Sequence, residues 1–133
     1  MIHQFPVRVY YEDTDLAGIV YYANYLKFIE RGRSEWVRSV GVDQDRMKQE
    51  DGLIFVVRRV EADYLTPARY DDELTVETQV THVGASYVEL DQSVKRGDDT
   101  CFKAKVKIVL IQDNGRPARI PAELRPKLSA ASA

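Results

Sequence analysis

The chain has 133 residues, 44% of them hydrophobic, and a formal net charge of −2 with both signs spread along its length. That size suits one domain whose core needs neither disulfide nor metal, and the charge balance excludes the concentrated basic face of a nucleic-acid binder. Cys101 is the only cysteine, which excludes an internal disulfide and a cysteine-rich zinc site.

No apolar stretch reaches the ~18–20 residues of a membrane span. The first residues, Met1 to Pro6, lack the basic-then-apolar order of a secretory leader. The expected setting is therefore the reducing cytoplasm.

Residues 5–11, rich in Val, Tyr and Phe, predict a first strand. A polar break follows, Glu12-Asp13-Thr14-Asp15-Leu16-Ala17-Gly18. Over 22–40 the apolar residues Tyr22, Tyr25, Leu26, Ile29, Trp36, Val37 and Val40 recur at helical spacing, opposite Lys27, Arg31, Ser34 and Arg38. Gly32 interrupts this helix at a cost of about 1 kcal/mol relative to Ala, which predicts a close approach to a sheet. Gly41 supplies the stop. After a polar connection, strands are expected over 53–64, 73–83, 86–95 and 100–111. In the second of these, Leu74, Val76, Thr78 and Val80 share one face, and in the last Phe102, Ala104, Val106, Ile108 and Leu110 do. The short turns at Gly84-Ala85 and Arg96-Gly97-Asp98-Asp99 predict antiparallel hairpins.

The order strand, long helix, four strands predicts an α+β fold, a five-stranded antiparallel sheet wrapped around one central helix. One domain is expected over 1–128, with a flexible tail at 129–133. A sheet covered on one side keeps exposed edges, so pairing with a second copy is its natural completion.

Three carboxylates, Glu12, Asp13 and Asp15, fall just before the helix. Crowded like charges raise a carboxyl pKa toward that of a general base. The unpaired N–H groups of a helix start can hold an oxyanion. Together they suffice chemically to attack an activated ester. The same residue types also serve as caps and turn formers, and spacing alone does not separate the two roles.

The segment resembles the signature of hotdog-fold thioesterases of the 4-hydroxybenzoyl-CoA thioesterase family, and within it the YbgC-type acyl-CoA thioesterases associated with the Tol–Pal envelope system. The matching pieces are Val9-Tyr10-Tyr11-Glu12-Asp13-Thr14-Asp15, Gly18-Ile19-Val20-Tyr21, Ala23-Asn24-Tyr25-Leu26-Lys27-Phe28 and Glu30-Arg31-Gly32-Arg33-Ser34-Glu35, followed by Asp63-Tyr64, Pro67-Ala68 and Asp71-Asp72-Glu73-Leu74. The resemblance runs from about Val7 to Leu124. It implies an acyl-CoA thioesterase that releases a carboxylic acid and CoA and needs no cofactor. It casts Asp15 as nucleophile or general base and the Tyr22 backbone N–H as oxyanion donor. Gly18, Tyr21 and Glu30 then lie on the substrate side, with Gly18 allowing the tight turn. The site would sit between two protomers of a dimer or dimer-of-dimers homotetramer.

Many YbgC-type chains carry a histidine where this one has Tyr22; a backbone donor survives that exchange. Glu30 has a second reading as a helix-surface ion pair with Arg33. Arg116 and Arg119 are the leading candidates for CoA phosphate contacts, and the turn Val83-Gly84-Ala85-Ser86 reads either as a plain hairpin turn or as a close approach to the nucleotide. Lys103, Lys105 and Lys107 read as a solubilising face. A hydratase would need a histidine near Asp15, and none is there in sequence. The remaining alternative is a non-catalytic acyl-CoA-binding or envelope-associated adaptor, with no nucleic acid and no membrane span in either case.

Overall fold

A computed structural model describes residues 2–129. Of the expected tail, residues 130–133 lie outside the described residues, and Ser129 ends a short helix. The elements are β1 (His3–Arg8), a 3-10 turn (Tyr11–Asp13), α1 (Asn24–Ser39), α2 (Gln44–Asp51), β2 (Ile54–Tyr64), β3 (Glu73–Val83), β4 (Tyr87–Arg96), β5 (Asp99–Ile111) and α3 (Arg125–Ser129). The five strands form one antiparallel sheet in the order β1-β3-β4-β5-β2. This is the expected α+β arrangement, a sheet curled over one long helix.

Alternation explains the sheet. Leu74, Val76, Thr78 and Val80 of β3 turn inward, as do Val88, Leu90, Gln92 and Val94 of β4 and Phe102, Ala104, Val106, Ile108 and Leu110 of β5. On α1 the buried stripe is Tyr25, Phe28, Ile29, Gly32, Trp36 and Val37, the three-and-four spacing of one helix face. Gly32 does what the sequence predicted. A Cβ built there would run into Val76 Cγ1 and sit 3.0 Å from Val76 Cβ, so only glycine lets α1 lie this close to β3.

The chain differs from the sequence reading in several places. β1 ends at Arg8, and Tyr10 and Tyr11 are exposed in the turn that follows. The helix begins at Asn24, so Tyr22 precedes it, and both Tyr22 and Leu26 stay exposed. The polar connection after Gly41 contains α2, capped by the Asp43 side chain, which accepts from the Arg46 N–H at 3.0 Å. The hairpins β3-β4 and β4-β5 form as expected. β2, however, crosses to the far edge and pairs with β5. A bulge at Arg58 shifts its register, so Val57 and Val60 both face inward with two arginines between them.

The outer face of the sheet is a charge lattice. Lys103 lies across from Asp63 and Ser93, and Lys105 across from Glu61 and Asp91. Lys107 sits over the Tyr87 ring at 4.2 Å. The basic row is thus interleaved with acidic neighbours.

Candidate active site

The loop between the 3-10 turn and α1 folds into a small hairpin closed by a bridge between Thr14 and Val20. Asp15 N–H donates to the Ile19 carbonyl and Gly18 N–H to the Asp15 carbonyl, each at 3.0 Å. Gly18 takes a φ of +77°, a conformation that costs glycine little and other residues more. Nothing lies within 4 Å of a Cβ placed there, so the requirement is conformational rather than steric.

The three carboxylates are divided by this geometry. Asp13 turns inward, 7% exposed. Its side chain accepts from the Tyr10 N–H at 2.8 Å and from Asn24 Nδ2 at 3.2 Å, while its carbonyl accepts from the Tyr21 N–H at 2.8 Å. Asp13 therefore fastens the hairpin to the start of α1. Asp15 turns outward and is exposed. One carboxylate oxygen accepts from the Ala17 N–H at 2.9 Å, which fixes the side chain, and the other has no hydrogen-bond partner among the described residues. Glu12 is exposed and makes no hydrogen bond among them.

The start of α1 carries no capping side chain; its N-cap is Ala23. The Tyr21 carbonyl accepts from the Asn24 N–H at 2.8 Å. The Tyr22 N–H shares that peptide plane and points the opposite way, out of the helix end. No acceptor among the described residues takes it. The Tyr22 carbonyl accepts from the Tyr64 hydroxyl at 3.1 Å. A short, positively polarised turn is therefore held open just after a fixed carboxylate.

An aromatic stack supports the turn from below. Tyr25 lies parallel to Phe102 at 5.0 Å, and Tyr64 meets Phe102, Tyr25 and Tyr22 at 5.0, 5.7 and 6.1 Å. Tyr21 and Tyr22 are 5.0 Å apart, and both are exposed. The Tyr25 hydroxyl accepts from the Ala68 N–H at 3.1 Å, and the Ala68 carbonyl accepts from the Val20 N–H at 2.8 Å. Burial pushes the Tyr25 and Tyr64 hydroxyls above the usual tyrosine value, so both stay protonated hydrogen-bonding groups. Cys101 is buried and its thiol is likewise pushed up by burial, which argues against a nucleophile.

The other sequence-predicted residues are spread out. Glu30 lies on α1 and accepts from the Ser34 hydroxyl at 3.5 Å. Arg116 and Arg119 are exposed beyond the end of β5. Within one chain they lie at the opposite end of the sheet from Tyr22, because Ile111 pairs with Ile54 while Phe102 pairs with Tyr64. The Gly84 turn is tied down internally, since Arg125 donates to the Gly84 carbonyl at 2.7 Å and Ile120 N–H to the Ala85 carbonyl at 2.8 Å. Sequence reasoning missed Asp13 and Asn24 as the joint between loop and helix. It also missed Arg69, an exposed cation whose backbone bridges to Ile19 beside the hairpin. The Asp-to-Asn spacing was visible, but nothing local marked which carboxylate turns inward. Among the described residues, no group of three or more His, Cys, Asp or Glu could hold a metal.

Comparison with known proteins identifies the family. Residues 17–103 match the family model described as the thioesterase superfamily. The acyl-CoA thioesterase YbgC of Haemophilus influenzae is 42% identical over 123 residues, covering 91% of this chain and 90% of that protein. The acyl-CoA thioester hydrolase YbgC of Escherichia coli is 34% identical, covering 92% of each. Among solved structures, a probable thioesterase from Bartonella henselae superposes with a TM-score of 0.87 at 39% identity, covering 91% of this chain and all of that one. A hypothetical protein from Thermus thermophilus gives a TM-score of 0.90 at 22% identity, a likeness of fold alone. With a family match over well over half its length and relatives of this similarity, the chain belongs to the thioesterase superfamily.

Proposed function

We propose that this protein hydrolyses acyl-CoA thioesters to a carboxylic acid and free CoA, with Asp15 as the catalytic carboxylate. The observation that carries the reading is the pairing of a fixed, outward carboxylate with the unclaimed Tyr22 N–H at an uncapped helix start. A thioester carbonyl placed between them receives attack on one side and charge stabilisation on the other. The free Asp15 oxygen either takes a proton from the attacking water or attacks the carbonyl itself, giving an anhydride that water then opens. In both routes the C–S bond breaks, and the CoA sulfur leaves and is protonated. Water and acyl-CoA suffice, and no cofactor enters.

A homodimer completes the site. β2 is an edge strand whose inward Val57, Val60 and Tyr64 stay exposed. Paired about a two-fold axis with β2 of a second copy, it runs antiparallel to its mate. Its ten steps span ~33 Å, so that pairing carries the far end of the partner's sheet toward this chain's Tyr22. Arg116 and Arg119, remote within one chain, then serve the partner's site as cations for the CoA phosphates. Gly18, Tyr21 and Glu30 fall on the substrate side of the groove. We propose likewise that two such dimers assemble into a tetramer, that the protein acts in the cytoplasm and that it associates with the Tol–Pal system. Copurification with Tol or Pal components tests that last association.

The test is a screen of short-chain, long-chain and aromatic acyl-CoAs, read as free thiol, with Asp15→Asn alongside. Asp15→Asn should cut turnover by ~10²–10⁴, as loss of a general base does, with the fold retained. Unchanged turnover in that variant overturns the assignment of Asp15, and a folded wild type that releases no thiol overturns the enzymatic reading.

A further inference from the structure

The hairpin that carries Asp15 is part of a wider ribbon. Thr14 bridges to Val20, and Ile19 bridges in turn to Arg69, in the segment between β2 and β3. The Val20 N–H donates to the Ala68 carbonyl at 2.8 Å, so that segment supplies a third short strand. Side chains alternate along such a ribbon, and residues directly opposite one another share a face. Val20 and Ala68 form an inward row, 3% and 0% exposed. The next row, Asp15, Ile19 and Arg69, therefore turns outward. Asp15 and Arg69 are exposed, with Ile19 half-buried between them. Two strand spacings separate Asp15 from Arg69, about 10 Å between their Cα atoms.

The backbone beneath this arginine is fixed. Besides the bridge to Ile19, its N–H donates to Asp72 Oδ2 at 2.8 Å, and the same oxygen accepts from Arg96 Nη1 at 2.9 Å. The Asp72 carboxylate is thus spent on the backbone and on Arg96. The Arg69 guanidinium, by contrast, makes no hydrogen bond or salt bridge with a described residue. It is a planar, permanently charged donor on a rigid base, facing the same way as Asp15. Such a group binds oxygen acceptors. A saturated acyl chain offers none beyond the thioester itself. The thiol arm of coenzyme A does, because its first amide carbonyl lies only a cysteamine unit beyond the sulfur. The phosphates stand further out, at the far end of that arm, which the proposed dimer serves with Arg116 and Arg119.

We propose that Arg69 binds the amide carbonyl nearest the thioester on the thiol side, so that this face recognises the cysteamine arm of the leaving group. The proposal rests on the thioesterase reading and adds the direction of the substrate, whose thiol arm crosses the ribbon from Asp15 towards Arg69. Asp15 and the Tyr22 N–H serve the reacting carbonyl, and Arg69 holds the group that departs from it. Binding energy from that remote contact goes into orienting the thioester.

The experiment measures kcat/KM, read as free thiol, for hexanoyl-CoA, hexanoyl-pantetheine, the hexanoyl thioester of N-acetylcysteamine and S-pentyl thiohexanoate. Wild type, Arg69→Met and Arg69→Lys are compared. The N-acetylcysteamine thioester ends in the amide concerned, and the S-pentyl one replaces that amide with methylenes. In Arg69→Met the preference for the former over the latter should shrink about tenfold, the loss expected of one charge-assisted hydrogen bond. The preference for hexanoyl-CoA over the N-acetylcysteamine thioester should hold. Arg69→Lys keeps the charge but loses the planar fork, and should retain part of the preference. Each comparison is a ratio within one protein, so a smaller folded fraction cancels, and if Arg69→Met does not fold Arg69→Lys carries the same test. An equal loss on all four thioesters overturns the proposal and places Arg69 in the support of the loop. A loss confined to hexanoyl-CoA also overturns it and assigns the guanidinium to the phosphates. Unchanged ratios overturn it too, whether or not the variants still form dimers. Release of thiol by the wild type from none of the four, nor from longer or aromatic acyl-CoAs, overturns the thioesterase reading as well.

Discussion

The Asp13 carboxylate accepts from the Asn24 side-chain amide at 3.2 Å, and this buried contact joins the hairpin bearing Asp15 to the first residue of α1. The same carboxylate takes the Tyr10 N–H, so its loss strands two donors at once. Asp13→Ala should lower stability by about 1–3 kcal/mol, the cost of leaving buried donors unsatisfied. It should also cut kcat by an order of magnitude or more, because catalytic groups tolerate little displacement. Glu12→Ala is the control: exposed and unbonded, it should shift stability by less than about 0.5 kcal/mol. Thermal unfolding and steady-state hydrolysis of the two variants decide whether the acidic run acts through crowding or through this one joint.

Tyr64 holds the turn before α1 from the other side through the Tyr22 carbonyl. Tyr64→Phe removes that bond and keeps the ring against Tyr22, Tyr25 and Phe102. A typical hydrogen bond is worth about 1 kcal/mol of stability, so the melting temperature should fall by a few degrees, and kcat about three- to tenfold with KM little changed. A rise in KM alone would instead make Tyr64 part of the acyl wall and nothing more.

Gly32 is where helix propensity and packing oppose each other. Alanine there gains about 1 kcal/mol of helix propensity, but its methyl collides with Val76, and overpacking costs about 1–3 kcal/mol. Gly32→Ala should therefore destabilise, by up to about 2 kcal/mol. In a Val76→Ala background the same change should cost less or turn favourable, a coupling that chemical denaturation of the four-member cycle measures directly. Equal cost in both backgrounds would mean that α1 does not lean on Val76.

Strand β3 was legible to the residue because Leu74, Val76, Thr78 and Val80 alternate over a buried face, and the β3-β4 and β4-β5 hairpins followed from their turns. The crossing of β2 to β5 was not legible, since that pairing is made between segments far apart in sequence and no local cue announces it. α2 was missed because Gln44–Asp51 buries only Met47 and shows no apolar stripe, although Asp43 and Gly52 do mark its two ends. At the candidate site, the tight turn at Gly18 followed from the motif. That Asp13 turns inward while Asp15 turns outward is decided by Tyr10 and Asn24, which composition does not reveal. The Arg33–Gln92 bond spans 59 residues and has no signal in either segment.

The segment that follows β2 delivers Ala68 to both Tyr25 and Val20, and an ion pair holds that segment in place. Arg96 donates to Asp72 at 2.9 Å and to the Pro67 carbonyl at 3.3 Å. Burial pushes the Asp72 carboxyl up, but the Arg69 N–H and the Arg96 guanidinium outweigh it and hold the group below the usual carboxylate range. Glu77 is depressed in the same way: burial raises it, and Gln4, Lys95 and Ser93 bring it down further. A carboxyl whose folded pKa lies below its unfolded one lends stability that is fully present above the unfolded value, near pH 4, and is lost as pH falls through the folded value. The melting temperature should therefore be flat above about pH 5 and drop as acid is added below about pH 4. Asp72→Asn, which keeps an acceptor but carries no charge, should start lower at neutral pH and show a shallower acid slope. If the variant's slope equals that of the wild type, the acid sensitivity belongs to other carboxylates, with Glu77→Gln the next to measure.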